Sequence, residues 1–321
     1  MENLLAALRA AAEPTRLRLL ALAGRGAFCV SEFTEILGQS QPRLSRHLKL
    51  LCEAGLLERV REGANVWFAV PANEAGALSR ELIGRLPDDD PVLDADRRQA
   101  SRVLAERARI ASESFRRKGA DWDEMRALSL PAGAVEAALV EIFPQNGIGR
   151  LLDIGTGTGR VLELLGPRAR EAIGIDASAA MLALARARLA RAGLPHCAVR
   201  QADMYRLPLP DGSFDVVVLQ MVLHHAERPD AALGEAARVL RSDGQLVVVD
   251  LSRHDRHELA ERLAHRWPGF AEADMTCLVE KAAVVVTAEK TIPGQDGLSV
   301  RLWSATRVAG VPVVQPVELA V

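Results

Sequence analysis

Leu151-Leu152-Asp153-Ile154-Gly155-Thr156-Gly157-Thr158-Gly159-Arg160-Val161-Leu162-Glu163-Leu164-Leu165 runs from an apolar segment, through three alternating glycines, into a helical pattern. Glycines let a backbone turn sharply and approach a ligand closely, and the helix that opens behind them offers unsatisfied N–H groups to an anionic group. A dinucleotide fingerprint would place its third glycine at position 160, which is Arg160. The spacing is therefore Gly-x-Gly-x-Gly, and a pyrophosphate ligand loses ground.

The flanking segments extend the pattern. Ala172 to Ile175 reads as a second strand ending at Asp176 and Ala177, where a carboxylate at a sheet edge accepts from two ribose hydroxyls. A third strand around Ala198-Val199-Arg200 leads to Gln201-Ala202-Asp203-Met204. Asp203 can accept from an adenine amino group, and Met204 offers a backbone N–H and apolar cover. A fourth, Phe214 to Leu219, delivers Gln220 and Met221 to the same carboxyl edge, where open parallel sheets bind ligands. Ribose and adenine contacts without a pyrophosphate cradle specify a nucleoside cofactor. The candidate binding residues are Asp153, Gly155, Thr156, Gly157, Gly159, Asp176, Ala177, Asp203, Met204 and Gln220.

Leu151 to Gly159, Gly174 to Ser178, Gln201 to Met204, and Val222-Leu223-His224-His225 through Ala237-Arg238-Val239-Leu240 resemble the class I S-adenosylmethionine-dependent methyltransferases, most closely their quinone- and metalloid-methylating branch. The similarity covers roughly residues 120 to 309. It implies a Rossmann-like α/β domain with a seven-stranded, mostly parallel sheet closed by an antiparallel hairpin from Ala282–Ala288 and Leu298–Ala305. In the family these motifs hold the methionine end, ribose and adenine, and Asp153, Gly155, Gly157, Asp176 and Asp203 match them residue by residue. Ser242-Asp243-Gly244 departs from the family's Pro-Gly-Gly turn.

Methyl transfer from an activated sulfonium draws mostly on proximity and needs no fixed catalytic residue. His224 and His225 are the candidate catalytic groups, as a general base or as structural residues. No metal site is expected from them, because chain neighbours point apart and no third ligand is close in sequence.

The first 75 residues follow a different plan, with short helices punctuated by glycine. Ser31 to Leu37 is a short helix stopped by Gly38, and Gln41 to Ala54 is a second one stopped by Gly55, with the spacing of a helix-turn-helix. Every charge between Glu35 and Glu53 is positive. The first turns of the second helix would enter the major groove with Gln41, Arg43, Ser45 and Arg46, with His47 and Lys49 nearby. A hairpin around Arg61-Glu62-Gly63-Ala64 forms a wing, from which Arg59, Arg61 and Asn65 can touch phosphates.

Glu13-Pro14-Thr15-Arg16-Leu17, Gln41 to Leu51 and Glu53-Ala54-Gly55-Leu56-Leu57 resemble ArsR-family transcriptional regulators over this stretch. The resemblance implies a homodimer on a double-stranded operator, an inverted repeat read by paired helices. Metal-sensing members carry two nearby cysteines on the helix that here reads Ala27-Phe28-Cys29-Val30-Ser31. Ser31 takes the second place, and a lone thiol is more often a core residue than a soft-metal ligand.

Composition frames both halves. The chain has 321 residues, 49% hydrophobic and 26% charged, enough for two cores, and its net charge of -2 confines any nucleic-acid binding to a local patch. Three aspartates between Pro87 and Pro91 mark a boundary. The expected domains are 1–86, a winged helix-turn-helix; 87–145, a helical connector; and 146–321, the S-adenosylmethionine-binding domain. Met1-Glu2-Asn3-Leu4 opens no signal peptide, no segment is apolar enough to span a bilayer, and four scattered cysteines read as reduced, mostly buried thiols, so a cytoplasmic protein is expected. The function expected is a regulator responding to S-adenosylmethionine or S-adenosylhomocysteine, with an active small-molecule methyltransferase tethered to its own regulator as the alternative.

Overall fold

Near-continuous apolar runs along parallel strands, buried on both faces, build the larger module. In the computed structural model these are β4 (Gly149–Ile154), β5 (Ala169–Asp176), β6 (Cys197–Gln201), β7 (Phe214–Gln220) and β8 (Leu240–Leu251). With β9 (Val284–Pro293) and β10 (Ser299–Arg307) they form a seven-stranded sheet of order β6-β5-β4-β7-β8-β10-β9, in which β10 runs antiparallel to both neighbours. The structure describes residues 2–307 except 63–64, 72–73, 88, 118–124, 126–127, 144–146, 257–262 and 264. Gly63 and Ala64 of the expected hairpin and residues 118–124, 126–127 and 144–146 of the expected connector lie outside the described residues, as does the side chain of Asn65.

The strand pleat sorts side chains to two cores. Leu151, Val216, Val218 and Val247 join one, with helices α7 (Ala132–Ile142), α8 (Arg160–Leu165) and α9 (Ala179–Ala192). Leu152, Ile154, Val217, Leu219 and Val248 join the other, with α10 (Pro229–Val239) and α11 (Glu272–Lys281). This is the Rossmann-like methyltransferase architecture. The chain moves outward from β4 to β6, then returns to β7 on the other side of β4, which leaves a topological switch point at the carboxyl edge. At the departed turn before the last parallel strand, Asp243 takes the left-handed conformation at φ 66°, and β8 continues through it.

The smaller module packs α1 (Glu2–Ala11), α2 (Pro14–Ala23), α3 (Val30–Leu37), α4 (Gln41–Glu53) and α5 (Ala77–Gly84) around one core, beside a three-stranded sheet. That sheet has the order β1-β3-β2, from Phe28–Cys29, Asn65–Ala69 and Glu58–Glu62. Phe28 and Cys29 were expected to open a helix and instead pair with Phe68 and Trp67. The helix starts at Val30 because the Glu32 carboxylate accepts from the Cys29 N–H at 2.8 Å, a capping interaction that fixes the entry. Of the four free cysteines, Cys29, Cys52 and Cys197 are half-buried and Cys277 is exposed, so the expectation of buried thiols fails.

Helix α6 (Pro91–Arg117) ties the modules together. Asp90 caps it, accepting from Val92 and Leu93 at 2.8 and 3.0 Å. Asp96 accepts two hydrogen bonds from Arg18 of α2 at 2.6 and 2.7 Å, and Arg107 pairs with Glu32 of α3 at 2.6 Å. The same helix packs against α9 of the larger module.

Candidate functional site

The glycine loop after β4 is shaped by close approach. Gly155, Gly157 and Gly159 have φ of 73, 52 and 76°, and a β-carbon on Gly155 would lie 2.4 Å from a Val222 methyl. Gly155 and Thr156 N–H groups donate to Ile175 O at 2.8 and 2.9 Å, which holds the loop against β5. The Asp176 carboxylate accepts from Gly157 N through one oxygen and from Ser178 N through the other, both at 2.8 Å. Burial pushes its pKa up, and the two N–H bonds pull against that shift. Asp176 is thereby anchored at the end of β5 with lone pairs left for a diol.

Asp153 is 1% exposed. Thr156 Oγ1 donates to its Oδ2 at 2.6 Å, whereas Oδ1 is buried with no partner among the described residues, as is Gln220 Oε1. Burial pushes Asp153 up to about 7, against the Thr156 hydrogen bond, and the neighbouring Asp176 charge adds to the rise. β4 and β7 are adjacent, with Asp153 opposite Val218. These two orphaned acceptors, one of them on a carboxylate with no ion pair among the described residues, fit a cationic group with several N–H donors, as an amino-acid ammonium has.

Along the rest of the edge, Gln201 Nε2 donates to the carbonyl of exposed Ala177 at 2.8 Å. Asp203 is exposed and accepts from Tyr205 N at 2.9 Å, and Met204 is half-buried. Strand ends β4 to β7 therefore bring the expected cofactor residues to one edge of the sheet.

His224 and His225 lie in a 3₁₀ turn after β7. His224 is fully buried, with Nδ1 2.6 Å from Asp250 Oδ1, and that carboxylate also accepts from Leu223 N and Leu251 N at 3.0 and 2.7 Å. The tight turn sets the two imidazoles 4.2 Å apart, so these chain neighbours do not point away from each other. A third, His265, stands 4.5 Å from His224 and 5.2 Å from His225, centroid to centroid. Sequence reasoning missed His265, which is brought in by long-range pairing: Arg266 and Trp267 N–H groups donate to His224 O at 2.9 and 3.1 Å.

In the smaller module, Leu44, Leu48 and Leu51 bury one face of α4, which leaves Gln41, Arg43, Ser45, Arg46 and Lys49 exposed on the others. Lys49 pairs with Glu53 at 3.7 Å. His47 turns inward, 3.8 Å from Glu13, and so braces α4 against the start of α2. Wing residues Arg59 and Arg61 are exposed on β2.

The wing also faces the larger module. Trp67 on β3 lies 4.3 Å from the Arg186 guanidinium of α9 and 4.7 Å from that of Arg107 of α6, measured to the ring centre. Glu58 on β2 pairs with Arg200 on β6 at 3.0 Å, and its burial pushes its pKa up while Arg200 pulls it down.

Fold and site together define a two-module protein in which a winged helix-turn-helix adjoins a methyltransferase-fold domain with a nucleoside-type crevice. Residues 13–59 match the family described as bacterial regulatory protein, arsR family, and residues 152–248 match the methyltransferase domain family. The chain thus combines an ArsR-family helix-turn-helix domain with a class I methyltransferase domain. It is 36% identical over 101 residues to the uncharacterized methyltransferase YcgJ of Bacillus subtilis, covering 32% of this chain and 40% of that protein. With the demethylmenaquinone methyltransferase of Thermus thermophilus it shares 40% identity over 113 residues, 35% of this chain and 51% of that one. The chain spans about half the length of the curated relatives it matches. A solved complex of the Haloferax volcanii Trm112 methyltransferase activator with a methyltransferase aligns at TM-score 0.53 and 18% identity, over 62% of this chain and 98% of that one, a likeness of fold alone. Among the described residues no helix is long and apolar enough to cross a membrane.

Proposed function

We propose that the protein is a cytoplasmic DNA-binding transcriptional regulator whose methyltransferase domain binds S-adenosylmethionine or S-adenosylhomocysteine, and that occupancy of this domain biases DNA binding. The observation that carries the reading is the span of α9. Its cap, Ser178, hydrogen-bonds the ribose-site carboxylate Asp176, and Arg186, two turns further on, meets Trp67 on the wing. Eight residues of helix cover about 12 Å, short enough for a rigid element to carry a shift from crevice to wing.

Asp176 would take the ribose hydroxyls, Asp203 and Met204 the adenine, the glycine loop the carboxylate, and Asp153 with Gln220 the ammonium, with Thr156 holding Asp153 in place. The bound sulfonium supplies an activated methyl group. On the DNA side, Gln41, Arg43, Ser45, Arg46 and Lys49 would reach into the major groove, with Arg61 and Asn65 on the backbone and His47 placing the helix. Leu4, Leu5 and Leu8 on α1 are 52, 43 and 42% exposed, an apolar stripe that supports a homodimer on an inverted-repeat operator.

The second reading, methyl transfer to a quinone-like or other small acceptor, is favoured by the His224–Asp250 pair, which orients an imidazole beside half-buried His225 at the cofactor edge. A duplex selected from a random pool, titrated with the full chain without ligand, with S-adenosylmethionine and with S-adenosylhomocysteine, tests the regulator reading. An affinity change of roughly 5- to 150-fold is expected from at least one ligand. Equal affinity in all three contradicts it.

A further inference from the structure

We infer that His224, His225 and His265 form a binding site for a divalent cation of the zinc class. One ring nitrogen from each lies within 4.8 Å of the other two. Zinc–imidazole bonds of about 2.0–2.1 Å in a tetrahedron need nitrogens about 3.4 Å apart, a closure within reach of small side-chain rotations. The rings are inclined at 45, 58 and 87° to one another, so no two of them form a flat stack.

The surroundings match what a metal ligand set requires. Asp250 takes the Nδ1 proton of His224, which fixes the tautomer in which Nε2 carries the lone pair, the carboxylate–histidine arrangement that supports bound zinc. The Asp250 carboxylate is itself pinned by two backbone N–H groups at 3.0 Å or less. His265 is 6% exposed and held in place by two N–H bonds from the following residues to His224 O, while Trp267 Nε1 donates to Ala226 O at 2.8 Å. Three nitrogen donors select zinc, copper or nickel over magnesium or calcium, and leave a fourth position for water or a small anion. Half-buried His225 is the side on which that position can meet a ligand. The site stands on these three side chains and does not rest on ligand-regulated DNA binding.

The test uses the full chain stripped of metal and titrated with Zn²⁺ alone against a chelating dye. One equivalent is expected to bind. His265→Gln and His225→Gln should each lose stoichiometric binding while His265→Gln keeps its circular dichroism spectrum and its S-adenosylmethionine affinity. Asp250→Asn should weaken zinc about 10- to 100-fold. The Co²⁺ form of the unaltered protein gives a second readout independent of any variant: intense visible bands of a four-coordinate nitrogen site without thiolate charge transfer. Absence of zinc binding, unchanged binding in both histidine variants, or a thiolate-to-cobalt band that puts the ion on the cysteines would each overturn the assignment.

Discussion

The Arg186 guanidinium stands 4.3 Å from the centre of the Trp67 indole, joining the helix that begins at the candidate crevice to the wing of the helix-turn-helix module. Arg186 is 5% exposed and also donates to Val199 O at 3.3 Å, so the contact is largely desolvated. A cation over an indole in such a setting is worth up to about 2 kcal/mol. Arg186→Leu should leave both binding activities measurable and remove most of the effect of one ligand on the other. Full ligand response in that variant would place the coupling elsewhere.

Trp67→Ala opens a cavity at the junction of β3, α6 and α9. Urea unfolding should show a loss of roughly 3–5 kcal/mol, the usual cost of truncating a buried aromatic. A loss below about 1 kcal/mol would mean that the wing and the larger module are not packed as described.

At the crevice, Asp176→Asn keeps the shape and removes the charge that strengthens hydrogen bonds to a ribose diol. S-adenosylmethionine affinity should fall roughly 10- to 100-fold in calorimetry, the equivalent of about 1.5–3 kcal/mol. Unchanged affinity would show that the ribose sits elsewhere.

Asp153 gives the pH dependence its sign. Its carboxyl is pushed up to about 7 in the ligand-free protein, above the usual unfolded value of about 3.9. The folded state therefore holds this proton more tightly, so the group's contribution to stability is full in acid and is lost as pH rises through about 7. A cationic ligand prefers the ionised form. S-adenosylmethionine binding should strengthen as pH rises toward about 7, and weaken again above about 8 as an α-amino group loses its proton. Asp153→Asn should flatten the acid limb of that profile, and an unaltered limb would exclude Asp153 as its source.

On the DNA reader, Arg43→Ala and Arg46→Ala should each cost about 1–3 kcal/mol if they reach base edges, with relaxed sequence preference. If they reach phosphates instead, each should lower the salt slope by about one unit, uniformly across sequences. No change in either affinity or salt slope would remove α4 from the interface.

The placement of the candidate crevice residues at strand ends was legible because it is set locally. Asp153, the glycines and Asp176 sit where a strand ends and a helix begins, and each such turn is marked by its own few residues. The α4 surface was legible for the same reason, since Leu44, Leu48 and Leu51 set the buried face by helical period. The start of α3 was misplaced because β1 exists only through pairing with β3, a partner almost 40 residues on. His265 and the Trp67–Arg186 contact were hidden likewise: each joins segments far apart in the chain, and neither a lone histidine nor a lone arginine announces its neighbour. His47 reads in sequence as one more basic residue of the reading helix, and only the packing of α4 on α2 turns it toward Glu13.

Coupling between two sites is reciprocal, so the most direct test reads the crevice instead of the DNA. S-adenosylmethionine affinity of the full chain should be measured by calorimetry with and without saturating selected duplex. The account predicts that duplex shifts this affinity by the same factor, within error, by which S-adenosylmethionine shifts duplex affinity. An S-adenosylmethionine affinity identical in the presence and absence of duplex would contradict it.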